Sequence, residues 1–502
     1  MRYIIFFFVL IIGSPAAEGQ VIGDALRYAY TEPTGTARTL GLGGAISAVG
    51  TDFSTMSKNP AGLGWYRKSE LVLTPSLKLS EVTANLEGGD VRERNRSNIN
   101  FNNFGFVVKG RNRSGKLRSL NWAAGYNRIA DFHQDVNFAG TTPGSVTDRF
   151  LELTSDGNAD TPNLAPEELD GFEAGLAYEA GAIYINGNDP DAVANNIYIS
   201  DFAPRELTEK TQIVQATGGI NEFTIAVAGN IDERLLIGGT VGIPVVNYRE
   251  NKTYREEDED DSTLFFDELD FQERLVQTGV GINFKAGAIF RATQAVRVGL
   301  AVHTPTSYKL EDSFSTSLSY SFTDGSGSQT FSADSPEGSF EYKVTTPLAL
   351  IGSGAVILGR SGLLTAEVEW QDYSTVAFNF TNTTNADDLE YEAELNRQIG
   401  ENYRSALTVR LGGEFAYENL RVRAGYGLIG SPYVEGERFY NSLSAGIGMR
   451  LRSFYMDLGY RRSVFGETYV PYVTFDRNLN PQQEVTNNIR NNTFLLTFGF
   501  RF

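Results

Sequence analysis

The last stretch of the chain places Phe494, Leu496, Phe498, Phe500 and Phe502 on one face of an extended backbone. Thr493, Thr497, Gly499 and Arg501 fall on the other. Upstream, Leu443, Ala445, Ile447, Met449 and Leu451 oppose Ser442, Ser444, Gly446, Gly448 and Arg450. Leu364, Ala366, Val368 and Trp370 oppose Thr365, Glu367 and Glu369 in the same way. A period of two is the mark of a β-strand. It predicts strands over 69–80, 97–110, 117–130, 219–229, 234–249, 274–290, 295–310, 340–358, 363–380, 405–417, 419–429, 440–452, 453–468 and 493–502. That is about fourteen strands of about ten residues, the even number and the length of a tilted membrane-crossing barrel. The connections agree. Segments 111–116, 230–233, 291–294, 359–362, Glu418 and the 452/453 junction are short. Segments 81–96, 131–218, 250–273, 311–339, 381–404, 430–439 and 469–492 are long, and short alternates with long throughout. A soluble sandwich shares the alternation but has no reason to keep that parity. The expected fold is therefore all-β, a transmembrane antiparallel β-barrel with long external loops and both termini on the periplasmic side.

The beginning of the chain reads differently. Met1-Arg2 precedes an apolar run, Tyr3 to Ile12, which is too short to span a bilayer and fits an export signal. Small residues at 14–19 place the expected cleavage near Gly19/Gln20, so 1–19 is assigned to the signal peptide. Residues 24–65, within a segment 20–68 that precedes the first strand, do not alternate. Asp24 to Tyr30 and Thr36 to Gly50 predict short helices rich in small residues. Asp52-Phe53-Ser54-Thr55 caps another, which Asn59-Pro60-Ala61-Gly62-Leu63 ends. A barrel of about fourteen strands is too wide for its own side chains to fill. The apolar density of 20–68 fits a partly helical plug inside the lumen of a barrel formed by 69–502.

Composition narrows the function. The 502 residues contain no Cys, which excludes a disulfide scaffold, a thiolate metal site and a cysteine nucleophile. The net charge of −19 argues against nucleic acid, whose phosphates need a basic face. The two histidines are His133 and His303. His303 and Ser307 share a predicted strand, but no nucleophile motif surrounds them, and two isolated histidines are thin support for haem ligation. No enzyme, metal or cofactor is expected. The acidic run Arg255-Glu256-Glu257-Asp258-Glu259-Asp260-Asp261 reads as a solvated external loop or, alternatively, as a divalent-cation bridge to lipopolysaccharide or a calcium-ordered loop. Segment 166–183 has the spacing of an amphipathic helix over the mouth. The predicted inward faces carry Arg297, Glu367, Glu369, Arg410, Glu414, Arg421, Arg423, Arg450, Asp457 and Arg461. Such charges need partners. Of these, Arg421, Arg423 and Arg450 are candidates either to clamp the plug or to hold a ligand carboxylate.

The stretch from Gly43 through Asp52 to Asn59-Pro60-Ala61-Gly62-Leu63 resembles the hatch of the FadL-type long-chain fatty acid transporters, where a small-residue helix leads through an acidic residue into Asn-Pro-Ala-Gly. Gly281–Gly287, Val302–Thr306, Thr345-Thr346-Pro347, Arg423-Ala424-Gly425-Tyr426 and the final Phe502 also fit. Phe502 resembles the terminal signal read by outer-membrane assembly machinery. Gly125-Tyr126-Asn127-Arg128 is most similar to Bacteroidota members. The resemblance implies an outer-membrane barrel of fourteen strands with an N-terminal hatch. It implies passive uptake of long-chain fatty acids or similar hydrophobic molecules. Ligand enters an external apolar groove, the hatch rearranges, and ligand leaves sideways into the bilayer. Each buried CH₂ is worth about 0.8 kcal/mol, so an aqueous channel would oppose such a cargo. A lateral gap needs a weakened ladder. Ala123, Ala124 and Gly125 are the candidate gate, with close packing against the hatch as the alternative role. Implied partners are the hydrophobic ligand, outer-membrane lipid and lipopolysaccharide. FadL-like barrels also serve as docking subunits in type IX secretion-like machinery, which would engage a protein partner through the external loops.

Overall fold

The structure, a computed structural model, describes residues 18–31, 35–110, 115–155, 162–203, 205–258, 263, 265–380, 385–474 and 483–502. Most of the expected signal peptide and the acids Glu259, Asp260 and Asp261 lie outside these residues.

The chain forms a closed antiparallel barrel of fourteen strands. They are β1 Glu70–Leu86, β2 Val91–Val108, β3 Leu117–Asp131, β4 Leu207–Ile231, β5 Leu235–Glu257 and β6 Phe266–Arg291. Then come β7 (Val296–His303 and Ser307–Asp324), β8 (Gly338–Thr345 and Ala349–Ile357) and β9 (Gly362–Asp372 and Ala377–Asn379). The last five are β10 Ser405–Tyr417, β11 Leu420–Gly430, β12 Phe439–Arg450, β13 Phe454–Tyr469 and β14 Val485–Arg501. Pro305 and Pro347 interrupt β7 and β8, as expected of a residue that cannot donate to the ladder. The barrel closes where β1 pairs with β14, from Glu70↔Arg501 to Leu86↔Val485. Each strand corresponds to one predicted from the alternation.

The strands outrun their predicted ends. β5 and β6 occupy most of the expected loop 250–273, and β1 and β2 most of 81–96. The reason is a reversal of the hydrophobic phase. On β5, Ile237, Val241 and Ile243 point outward, exposed, while Thr240 is buried inside. Beyond Val245 the outward residues become Asn247, Arg249, Asn251 and Thr253, and the inward ones Val246, Tyr248 and Tyr254. β6 repeats the change, from outward Phe284, Ile282 and Val280 to outward Thr278, Arg274 and Gln272. The lower barrel therefore has an apolar exterior, as lipid requires. The upper barrel has a polar exterior and an apolar interior, like a soluble sheet.

That upper interior is filled. Segment 131–218 begins with a strand at Gln134–Pro143 that pairs with β4. It forms a cap rather than a loop. The N-terminal helices are α1 Glu18–Ala29, α2 Ala37–Gly41 and α3 Thr55–Lys58; the cap helices are α4 Val146–Glu152, α5 Ala174–Glu179 and α6 Pro190–Asn195. Phe150, Leu169, Leu176 and Ile183 of the cap pack on Phe266, Leu269, Phe271, Leu318 and Tyr320 of the wall. The helix expected over 166–183 is broken into a turn at Pro166–Glu168 and α5. Between them the chain turns at Asp170, whose carboxylate accepts the N–H groups of Phe172, Glu173 and Ala174. Segment 381–404 largely forms α7 Ala386–Asn402, whose Leu395 and Ile399 join α1 in a second upper cluster.

Candidate functional site

Residues 35–66 are held against the inner wall of the lower barrel. Two observations explain how so much backbone fits there. First, the wall is glycine where the N-terminal segment touches it. A Cβ on Gly238 would lie 2.6 Å from Pro60 C, one on Gly287 2.0 Å from Asn59 Oδ1, and one on Gly425 2.2 Å from Gly43 N. Second, buried side chains satisfy its backbone. Asn121 Nδ2 donates to Leu63 O at 2.8 Å, Thr240 Oγ1 to Met56 O at 2.8 Å, and His303 shares a 2.8 Å hydrogen bond with Lys58 O. Within the segment, Asp52 accepts from Thr36, Thr39 and the Ser54 N–H, tying its start to its middle.

The hatch motif works locally. Asn59 caps the 3₁₀ turn Pro60–Trp65 by accepting the Ala61 N–H at 3.2 Å, and its amide donates to Ser47 O at 2.9 Å. Pro60 opens that turn, where a missing N–H costs nothing. Ala61 and Gly62 are fully enclosed, and a Cβ on Gly62 would meet Thr55 at 2.8 Å.

Two ion-pair chains pin this segment to the wall. In the first, Lys58 meets Glu369 at 3.0 Å, Glu369 meets Arg410 at 2.5 Å, and Arg410 meets Glu367, which also accepts the Ser47 N–H. In the second, Arg38 shares Glu414 with Arg423, and Arg423 and Arg450 both pair with Asp457. Arg297 donates to Val49 O at 2.6 Å. Of the three candidate arginines, Arg423 and Arg450 belong to this network. Arg421 does not. It sits at the start of β11 and donates to Glu418 O and Leu420 O of its own turn. The wall-side partners were legible as inward charges. The segment-side partners Arg38 and Lys58 were not, because nothing in a non-periodic stretch says which way a side chain points.

The wall has a gap. β2 and β3 pair only from Asn103↔Asn127 to Val108↔Trp122. Among the described residues, β2 from Val91 to Asn102 pairs only with β1, while β3 continues along β4. The candidate gate residues Ala123, Ala124 and Gly125 lie below the gap, in ladder paired on both sides. Gly125 faces Gly105, and a Cβ on either would lie 2.3–2.4 Å from the Phe53 ring. Glycine there accommodates the hatch and leaves the ladder intact. The open edge begins just beyond, at Asn103 and Asn127.

Side chains span the gap in place of backbone. Asp131 is the hub. It accepts from Asn98 at 2.9 Å and Asn100 at 2.8 Å across the slit, and pairs with Arg128 at 3.1 Å on its own strand. Lys78 of β1 donates to Asp131 O at 2.8 Å. Asn98 also lies 3.0 Å from His133 Nδ1, which places that histidine at the slit. On the outside, Ile99 and Phe101 are exposed. The run Asn95–Asn103, rich in Asn where a strand should be β-branched, was the available sequence signal.

Above the hatch, α1 lies against the wall residues Tyr308, Tyr342, Tyr373 and Phe378. Gln277 fastens it: its carbonyl accepts from Arg27 at 2.7 Å and Tyr28 OH at 2.6 Å, and its amide donates to Asp24 at 3.1 Å.

No known protein family and no curated protein matches the sequence. Solved structures do. A Pseudomonas aeruginosa FadL homologue superposes with a TM-score of 0.54 at 12% identity, covering 94% of this chain and 100% of that one. The Pseudomonas putida toluene transporter TodX gives 0.52 at 12% identity, again covering 94% and 100%. The chain therefore shares the FadL-like fold, a closed fourteen-stranded antiparallel barrel with an N-terminal helical segment.

Proposed function

We propose that the protein sits in the outer membrane and passes hydrophobic small molecules, long-chain fatty acids among them, from the outside into the bilayer through the slit between β2 and β3. The interrupted ladder carries this reading. A continuous barrel wall is closed to lateral exit, whereas this one, among the described residues, is fastened over β2 residues 91–102 only by side chains that can part without breaking backbone pairing. Phe53 of the hatch packs at the lower end of the slit, so a shift of the hatch is felt at its base. The apolar lower exterior receives the ligand, and the solved structures of similar fold include a toluene transporter.

The test uses the absence of native cysteine. Asn98→Cys with His133→Cys, whose parent side-chain tips lie 3.0 Å apart across the slit, is bridged by a short bis-thiosulfonate reagent, which oxidises both thiols to disulfides that reductant cleaves. In a host lacking its own fatty-acid uptake, the wild type and the single variants restore uptake. The oxidised double variant does not, and reductant restores it. Uptake through the oxidised form would refute lateral exit. One observation favours a second reading, a docking subunit: α1, α7 and the cap occupy the upper lumen with packed side chains. Wild-type protein that restores no uptake and purifies with a stoichiometric protein partner would establish that reading instead.

A further inference from the structure

A cleft of about 530 Å³ opens on the external surface where the cap meets the barrel rim. Its rim side carries Phe265, Phe322 and Phe331. Phe265 and Phe331 are each 48% exposed, and Phe322 stacks on Phe331 with centroids 6.0 Å apart. Phe265 adopts φ +73°, a left-handed conformation that bulky residues avoid, and its carbonyl is held by the Thr323 N–H at 2.7 Å. The backbone is thus bent at the point that presents this ring.

The cap side supplies charge and an aromatic hydroxyl. Asp201 accepts from Tyr184 OH at 2.9 Å and from Tyr320 OH at 2.7 Å, which fixes its carboxylate at the cleft. Glu179 of the cap and Asp324 of the rim, which accepts from the Ser326 N–H and hydroxyl, add two further acids, and no Lys or Arg is among the described lining residues. Burial and the bond to Asp201 push the Tyr184 hydroxyl up to about 12, so it stays neutral at physiological pH.

Aromatic faces attract cations, and uncompensated carboxylates both attract cations and repel a ligand carboxylate. The chain's net charge of −19 favours cation encounter over the whole surface. We propose that this cleft binds an organic cation of small-molecule size, a quaternary or protonated ammonium with an apolar body. It is separate from the slit, and its occupancy does not depend on transport.

The test compares choline with its neutral isostere 3,3-dimethylbutanol, using saturation-transfer NMR on the full-length protein in nanodiscs of uncharged lipid analogue lacking choline. Choline is expected to bind at least about fivefold more tightly than the isostere. Phe265→Leu and Phe331→Leu, which keep apolar volume and lose the ring, are each expected to weaken choline about threefold without changing isostere binding. Glu179→Gln with Asp324→Asn is expected to weaken it again. Each variant is checked for the heat-modifiable migration of a folded barrel. Equal binding of the two probes, Leu variants that retain full choline affinity, or no choline signal with the wild type would each overturn the proposal.

Discussion

Gly287 and Asn59 show how single residues set the hatch. A Cβ on Gly287 would come within 2.0 Å of Asn59 Oδ1, an atom already committed to the Ala61 N–H. Gly287→Ala is expected to push Asn59 out of its cap and cost about 1–3 kcal/mol, as over-packing does. Planar-bilayer recordings should then show ion leakage that the wild type lacks. Gly352→Ala is the control, since no atom beyond its own chain neighbours lies within 4 Å of its Cβ position. The motif Asn59-Pro60-Ala61-Gly62 could be read from the sequence, but its opposing glycine could not. Gly287 stands in a strand, and a strand glycine alone does not say what approaches it. The charged residues divide in the same way. Glu367, Glu369, Arg410 and Arg423 were visible as inward positions because strand periodicity fixes their side. Arg421 has the same parity, yet it lies next to a turn whose free carbonyls compete for its guanidinium.

Among the elements, the fourteen strands were legible where lipid faces one side, because an apolar exterior against a polar lumen gives strong alternation. They were lost above that level. There the alternation persists with opposite phase, and Ile243-Pro244-Val245-Val246, where the two phases meet, reads as a uniform run. The upper halves of β5 and β6 therefore looked like loop. This boundary predicts two opposite outcomes on one strand. Val241 is exposed between Ile225 and Phe284 in the apolar belt, and Val241→Arg should cost about 2–4 kcal/mol and reduce the folded fraction seen by heat-modifiable electrophoresis. Thr253, also outward on β5 but beyond the reversal, faces Gln272 and should accept Arg with no loss. Equal damage at both sites would mean that the upper barrel also lies in lipid. The slit follows the same logic. Pattern suggested a weakness in the third strand, but the ladder fails on the β2 side, where Asn replaces apolar residues and side-chain bonds replace pairing.

In the whole molecule, the hatch fills the lower lumen while α1, α7 and the cap fill the upper one, and the hatch and α1 differ in how they are held. The hatch, residues 35–66, is bonded to the wall at many points independent of α1, including the Lys58 and Arg38 ion pairs. In the upper filling, α1 rests on an aromatic surface and Gln277 accepts from Arg27 and Tyr28 and donates to Asp24. On the proposed route, a hydrophobic molecule that displaces α1 meets the surface of Tyr308, Tyr342, Tyr373, Phe378 and Phe380. Removing residues 20–31 should therefore leave the barrel folded and the hatch seated while opening an apolar chamber above it. The expected signature is a severalfold gain in the bound fluorescence of an environment-sensitive apolar dye, with planar-bilayer conductance unchanged. A rise in conductance would show that α1, and not residues 35–66, forms the ion seal. An unchanged dye signal from a folded barrel would show that the wall and α7 collapse into the space α1 leaves, and that the upper lumen is not a stop on the ligand's route.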